Sequence, residues 1–147
     1  MRGYFAIGIY RPKFEDNVGT LWRSAYSFGA SYVFTIEGRY KRQPTDTCRA
    51  DRHLPLFQYA HLLEFSANLP EGAEVVAVEL AEAAVDLETF SHPGRAIYLL
   101  GPEDGSLPDE VLRVCHHIVR FAGRFCLNVA VAGSIAMYDR QCKRREF

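Results

Sequence analysis

Short apolar runs alternate along this chain with stretches whose apolar residues recur at helical spacing. Tyr4-Phe5-Ala6-Ile7-Gly8-Ile9-Tyr10 is dense in aromatic and β-branched residues and reads as a first strand, broken by Arg11-Pro12-Lys13. Asp16 or Asn17 then offers a helix cap; Leu21, Ala25 and Phe28 recur at i, i+4, i+7, and Gly29 sits where a glycine commonly ends a helix. A second strand is expected over 31–37 and a short third over 56–59, followed by a helix over 61–69. Further strands are expected over 74–80, 96–100 and 117–121, with a single helical turn near Asp86 to Phe90. Pro108 opens a helix, and the last helix runs over 128–140, with Val129, Ala132, Ala136 and Met137 in one stripe. Strands alternating with helices predict one α/β domain over 1–147, with a mostly parallel six-stranded sheet flanked by helices. The segment 38–55 has no hydrophobic period, and a structureless loop of that length in a compact domain tends to be functional.

The net charge of −1 gives no global attraction to a polyanion, but its distribution is uneven. Residues 1–53 carry nine Lys/Arg against five acids and residues 113–147 seven against two, whereas 71–110 hold ten acids opposed only by Arg95. A neutral chain arranged in this way can still present one basic face. The cysteines, Cys48, Cys115, Cys126 and Cys142, form no C-x-x-C pair, and no His or Cys pair has zinc spacing, so no metal site is expected. Unpaired thiols without a secretion signal fit a reducing cytoplasm. The apolar run at 4–10 is too short for a signal peptide or a membrane span.

Three constellations could carry chemistry. Asn17-x-Gly19-x-x-x-Arg23 places a cation inside a helix beside apolar Leu21 and Ala25, where an anion would satisfy it; the alternative is a surface arginine with a capping asparagine. Gly101-Pro102-Glu103-x-Gly105 leaves a buried strand with backbone groups open toward whatever lies above the sheet, and Glu103 could accept ligand hydrogen bonds or neutralise Arg23. It could equally be a tight turn with a solvated glutamate. Cys126-Leu127-Asn128 enters the last helix, where Asn128 can cap it or orient a ligand. Cys126 lacks a general base beside it in sequence and is expected to be a buried thiol rather than a nucleophile. Neither G-x-G-x-x-G nor a P-loop is present, which argues against a conventional dinucleotide or nucleoside triphosphate site.

Taken in order, Asn17-x-Gly19-x-x-x-Arg23 with Phe28-Gly29, Leu100-Gly101-Pro102-Glu103-x-Gly105-x-Leu107-Pro108, and Leu127-Asn128-Val129-x-Val131-Ala132 resemble the three motifs of the SpoU/TrmH group. These are ribose 2′-O-methyltransferases of the SPOUT superfamily, and the resemblance covers essentially the whole chain. It implies a SPOUT fold with a deep trefoil knot over roughly 75–147, and no separate RNA-binding domain. It also implies S-adenosylmethionine as methyl donor with no metal, a homodimer with the site near the subunit interface, and tRNA or rRNA as substrate. By position, Val78, Glu79, Leu100, Gly101, Ile118, Cys126 and Leu127 would contact the cofactor, and Arg23, Asn17, Glu103 and Asn128 would form the catalytic group. An arginine keeps its proton at neutral pH, so Arg23 is expected to bind a phosphate and stabilise the forming alkoxide, held in place by Glu103 and by Asn17 or Asn128. Arg2, Arg39, Lys41, Arg42, Arg49 and Arg52 are expected to grip phosphates. The family usually has serine at position 126. This departure leaves open an RNA-binding SPOUT-like protein without transfer activity, and an unknotted sheet would point to a different small-ligand enzyme.

Overall fold

The computed structural model describes residues 3–38, 50–123 and 126–145, without the side chain of Asp51. The strands are β1 (Tyr4–Tyr10), β2 (Tyr32–Ile36), β3 (Leu56–Tyr59), β4 (Glu74–Val78), β5 (Val85–Asp86), β6 (Arg95–Leu100) and β7 (His117–Arg120). The helices are α1 (Glu15–Phe28), α2 (Leu62–Ala67), α3 (Asp109–Leu112) and α4 (Val129–Arg144), with 3₁₀ turns at Ala50–Arg52 and Leu87–Thr89. The strands pair in the order β3-β2-β1-β6-β4-β7-β5, every pair parallel. The sheet therefore has seven strands rather than the expected six. The additional one, β5, is two exposed residues paired with Val119 and Arg120 at the sheet edge, too short to show a period and adjoining the helical turn expected there.

Side chains alternate between two core layers. Phe5, Ile7, Ile9, Val76, Val78, Tyr98 and Leu100 face α1 and α4; Ala6, Val75, Ala77, Ile97 and Leu99 face α2 and α3 through Phe65 and Val111. β6 lies in the middle of the sheet, and Ala96 to Leu100 are buried on both faces, which is why that stretch reads as an unbroken apolar run. Each such buried aliphatic side chain contributes about 1.5–3 kcal/mol.

The start of α1 differs from the expected cap. The helix begins at Glu15 after Phe14, with no side-chain cap, so Asn17 lies within the first turn and its amide is released for other partners. Gly29 ends the helix in the left-handed region at φ 83°. α4 packs closely on α1 and the sheet at Gly133, where a Cβ would lie 2.5 Å from Leu21 Cδ1 and 2.9 Å from Leu100 Cδ1. The far end of α4 holds the segment before β6. Arg140, 1% exposed, donates to the carbonyls of Pro93 at 2.7 Å and Gly94 at 2.9 Å, and Lys143 donates to those of Leu87 and Phe90. Among the described residues no helix is long and apolar enough to cross a membrane.

Candidate active site

Three neighbouring strands, β6, β4 and β7, stop at the same edge of the sheet, and the chain leaves each of them through a loop. Those loops and the start of α4 enclose a cavity of about 850 Å³. Its wall is built from Val78, Glu79 and Leu80 after β4, Leu100 to Ser106 after β6, and Arg120 to Gly123 after β7. Phe14 before α1 and Asn17 within it, Cys126 to Val129 and Ala132 complete it. The carboxyl ends of parallel strands leave backbone N–H and C=O groups unpaired, and ligands of α/β proteins gather there.

One polar relay ties the wall together. Asn128 caps α4 through Oδ1, which accepts from the N–H groups of Ala130 at 2.9 Å and Val131 at 3.2 Å. Its Nδ2 donates to Asn17 Oδ1 at 3.0 Å, and Asn17 Nδ2 donates to Glu103 Oε1 at 3.1 Å. Glu103 also accepts from the Lys13 N–H at 2.8 Å and the Phe14 N–H at 3.3 Å, and Lys13 pairs with neighbouring Asp104. Each asparagine thus uses both ends of its amide, which fixes the orientation of the pair. Partial burial pushes the Glu103 carboxyl up. The N–H groups of Lys13 and of Glu103 itself, the Asn17 amide and the Phe14 N–H outweigh that, and the net direction is below the usual glutamate range. A carboxylate so satisfied is an anionic anchor and a poor proton acceptor.

Glu79 plays a comparable part on the opposite side. Its Oε2 accepts from the Leu107 N–H at 2.7 Å and its Oε1 from the Leu80 N–H at 3.0 Å, so it braces the loop after β6 against the end of β4.

The expected site residues fall into distinct groups. Val78, Glu79, Leu100, Gly101, Cys126 and Leu127 all line the cavity, as do Asn17, Glu103 and Asn128. Ile118 does not; it packs into the core layer facing α2 and α3, while Arg120 to Gly123 beyond it form the wall. Cys126, expected to be buried, is exposed, because it lies in the loop before α4 and not in a core layer. Arg23 lies exposed on α1, outside the cavity, and among the described residues it meets no hydrogen-bonding or ion-pair partner. Glu103, Asn17 and Asn128, expected to support Arg23, bond to one another within this chain. Asn17 and Arg23 are six residues apart, which turns them about 120° from each other around the helix. Arg52 is exposed, whereas Arg2, Arg39, Lys41, Arg42 and Arg49 lie outside the described residues. Sequence reasoning missed the backbone donors of Lys13 and Phe14, because N–H groups leave no trace in residue type. It also missed Phe121 to Gly123, where a glycine after an apolar strand was the available signal. Among the described residues no group of three His, Cys, Asp or Glu could hold a metal ion.

Residues 4–138 match the family model described as the SpoU rRNA Methylase family. No curated protein sequence matches significantly. An AdoMet-bound rRNA methyltransferase from Sinorhizobium meliloti superposes with a TM-score of 0.79 at 27% identity, over 97% of this chain and 57% of that one. A structure described by its work on 2-OH methylation of C/U34 on tRNA superposes with a TM-score of 0.82 at 26% identity, over 97% of this chain and 92% of the other. The A. aeolicus TrmH/SpoU tRNA modifying enzyme, at 19% identity and TM-score 0.83 over 99% of this chain and 77% of its own, shares the fold. The chain spans less than three fifths of the two Sinorhizobium meliloti proteins it matches, 58% and 57%.

Proposed function

We propose, from the premise that this chain belongs to the SpoU rRNA methylase family, that it transfers a methyl group from S-adenosylmethionine to the 2′-hydroxyl of a ribose in tRNA or rRNA. The observation that carries this reading is the meeting at one cavity of Asn17 from the first motif with the second and third motif segments, joined by the Asn128–Asn17–Glu103 relay.

The cavity suits the methyl donor. Its volume lies within the roughly 300–1,000 Å³ of small-molecule sites. Val78, Leu80, Leu100, Phe121 and Leu127 offer apolar surface to an adenine ring, strand-end backbone groups offer hydrogen bonds, and the carboxylates of Glu79 and Glu103 favour a cationic ligand. Bound there, S-adenosylmethionine supplies an electrophilic methyl group on a sulfonium. The residues of the chain do the rest: the relay holds the loops after β6 and before α4 at a fixed spacing, and Glu79 ties the loop after β6 to the end of β4.

The ribose oxygen takes the methyl as the C–S bond breaks and S-adenosylhomocysteine leaves, and its proton passes to solvent water. Arg23 supplies the cation that stabilises the oxygen as negative charge develops on it. Since it points away from its own cavity, it serves the cavity of a second subunit. A homodimer is supported by the outer face of α4, where Val131, Ile135 and Tyr138 stand 46%, 40% and 60% exposed at i, i+4, i+7, the spacing of a helix seam. The trefoil knot implied for residues 75–147 belongs to the same proposal. It is supported by the family match over residues 4–138.

The test is Arg23→Ala, assayed with labelled S-adenosylmethionine on unfractionated tRNA and ribosomal RNA. Transfer is expected to drop by about 100-fold or more, the usual effect of losing a donor to a developing oxyanion. Calorimetric affinity for S-adenosylmethionine should stay at the wild-type value, and digestion of the wild-type product should release 2′-O-methylnucleosides. Wild-type turnover by the variant, or methyl groups found on bases, would refute the assignment.

A further inference from the structure

We propose that the stacked rings of Tyr26 and His53 form a platform for a nucleobase of the substrate RNA, flanking the ribose that Arg23 serves. The inference rests on the methyl-transfer reading above and adds to it a second contact on the RNA.

Tyr26 lies on α1, and His53 follows the 3₁₀ turn Ala50–Arg52. Their rings are 5.2 Å apart between centroids and inclined by only 17°. Both residues are exposed, Tyr26 by 43%, so the stack contributes to neither core layer. Its geometry is nevertheless fixed from beneath. Ala50 is fully buried and Leu54 is 4% exposed; the N–H groups of His53 and Leu54 both donate to the Ala50 carbonyl, at 3.0 and 2.9 Å. Trp22 Nε1 donates to the Leu54 carbonyl at 2.9 Å and fastens the turn to the buried side of α1. A surface ring pair held this firmly is preorganised, so little entropy is lost when a third ring stacks on it.

The surrounding charge selects the occupant. Arg23 precedes Tyr26 by three residues, the i, i+3 spacing that makes helix side chains neighbours, and Arg52 adjoins His53; both arginines are exposed. Residues 17–28 of α1 contain no acid. Cations beside an open aromatic face suit single-stranded RNA, whose phosphates pair with arginine and whose unstacked bases lie on aromatic rings. A ribose held at Arg23 leaves its neighbouring base within reach of Tyr26. Stacking tolerates any base, so this platform adds affinity and register rather than sequence choice.

The probes are a single-stranded oligoribonucleotide carrying 5-iodouridine, for photocrosslinking and anisotropy, and unfractionated tRNA with ribosomal RNA as methyl acceptors. Crosslinks are expected at Tyr26 or His53. Tyr26→Ala and His53→Ala should each weaken oligonucleotide binding roughly tenfold and raise KM for RNA, while Tyr26→Phe and His53→Phe stay within about twofold of wild type. Affinity for S-adenosylmethionine and the sedimentation coefficient should not change. Alanine variants that bind RNA as tightly as wild type would overturn the platform, and would leave the methyl-transfer reading standing if wild type still methylates RNA. Alanine variants that alter sedimentation would also overturn it, by making the ring pair a contact between two copies of the chain. Crosslinking at the rings by a wild-type protein that transfers no methyl would support the platform and sink the methyl-transfer reading instead.

Discussion

An ionised carboxylate accepts hydrogen bonds on both oxygens and donates none, and Glu103 is surrounded accordingly. Lys13 N–H reaches one oxygen, while Phe14 N–H and the Asn17 amide reach the other. Glu103→Gln keeps the size but turns one acceptor into a donor that faces an N–H. The variant should lose about 1–2 kcal/mol of stability, as expected when charged hydrogen bonds are removed from a half-exposed site. Its affinity for S-adenosylmethionine should also fall, because the loop after β6 is no longer held to the start of α1. Urea midpoints and calorimetry read the two effects, and a variant indistinguishable from wild type in both would show that the relay is not needed. The same residue shows how misleading a local reading can be. By type and position Asn17 looks like a helix cap, and what it does instead depends on Glu103, 86 residues away.

Among the elements, α4 is fastened at both ends, and each fastening is open to test. At its start Asn128 caps two N–H groups and also donates to Asn17. Asn128→Ala should cost about 1 kcal/mol for the cap. Asn128→Asp keeps the cap and suits the helix dipole, yet loses the donor to Asn17; it should remain stable while losing activity, a separation measurable by thermal unfolding beside transfer rate. At the other end lies a buried group. His92 Nδ1 is 2.6 Å from the Tyr98 hydroxyl and Nε2 is 2.7 Å from Asp139, and Arg140 donates to that same hydroxyl. A neutral ring satisfies all of these if Tyr98 donates to Nδ1 and Nε2–H donates to Asp139. Burial, the largest single effect, pushes the His92 pKa down; the hydrogen bond and charge of Asp139 push it up. Lys143 and Arg140 push it down, and the net direction is below the usual histidine value. An unfolded histidine takes up its proton below about pH 6.5 while folded His92 still resists, so the unfolded chain binds more protons there. The contribution is complete above that pH and is lost as the pH falls from there toward the lower folded pKa. Urea midpoints should therefore decline from about pH 7.5 to 5.5 more steeply in wild type than in His92→Asn; equal slopes would contradict the assignment. The strands and helices that meet the core were legible because burial marks them, as an unbroken apolar run in Tyr4–Tyr10 and as a helical stripe in α4. β5 was not, since two exposed residues carry no period.

At the scale of the molecule, the loops that wall the cavity were legible from their glycines and polar residues, but the strand order was not, because no local pattern tells a chain that β6 will enter between β1 and β4. The isolated position of Arg23 was not legible at all, since motif order gives no direction to a side chain. That position has a consequence that can be measured in mixed dimers. Gly101 lies on the cavity wall, and a Cβ there would already meet Glu79 Oε2 at 3.3 Å and Leu107 Cγ at 3.4 Å. A Gly101→Leu subunit should therefore lose its own cavity while keeping its arginine, whereas an Arg23→Ala subunit keeps the cavity and loses the arginine. If each arginine served the cavity of its own chain, a dimer of one such subunit with the other would contain no complete site. If Arg23 crosses to the partner, the Arg23→Ala subunit's cavity meets an intact arginine and one complete site is assembled. Mixing two inactive homodimers under exchange conditions should then restore transfer, rising with the heterodimer fraction toward about half the wild-type rate per dimer, since one of two sites is complete. No recovery in demonstrated heterodimers would return Arg23 to its own chain, where its exposed place on α1 would have to change for it to reach the reacting oxygen.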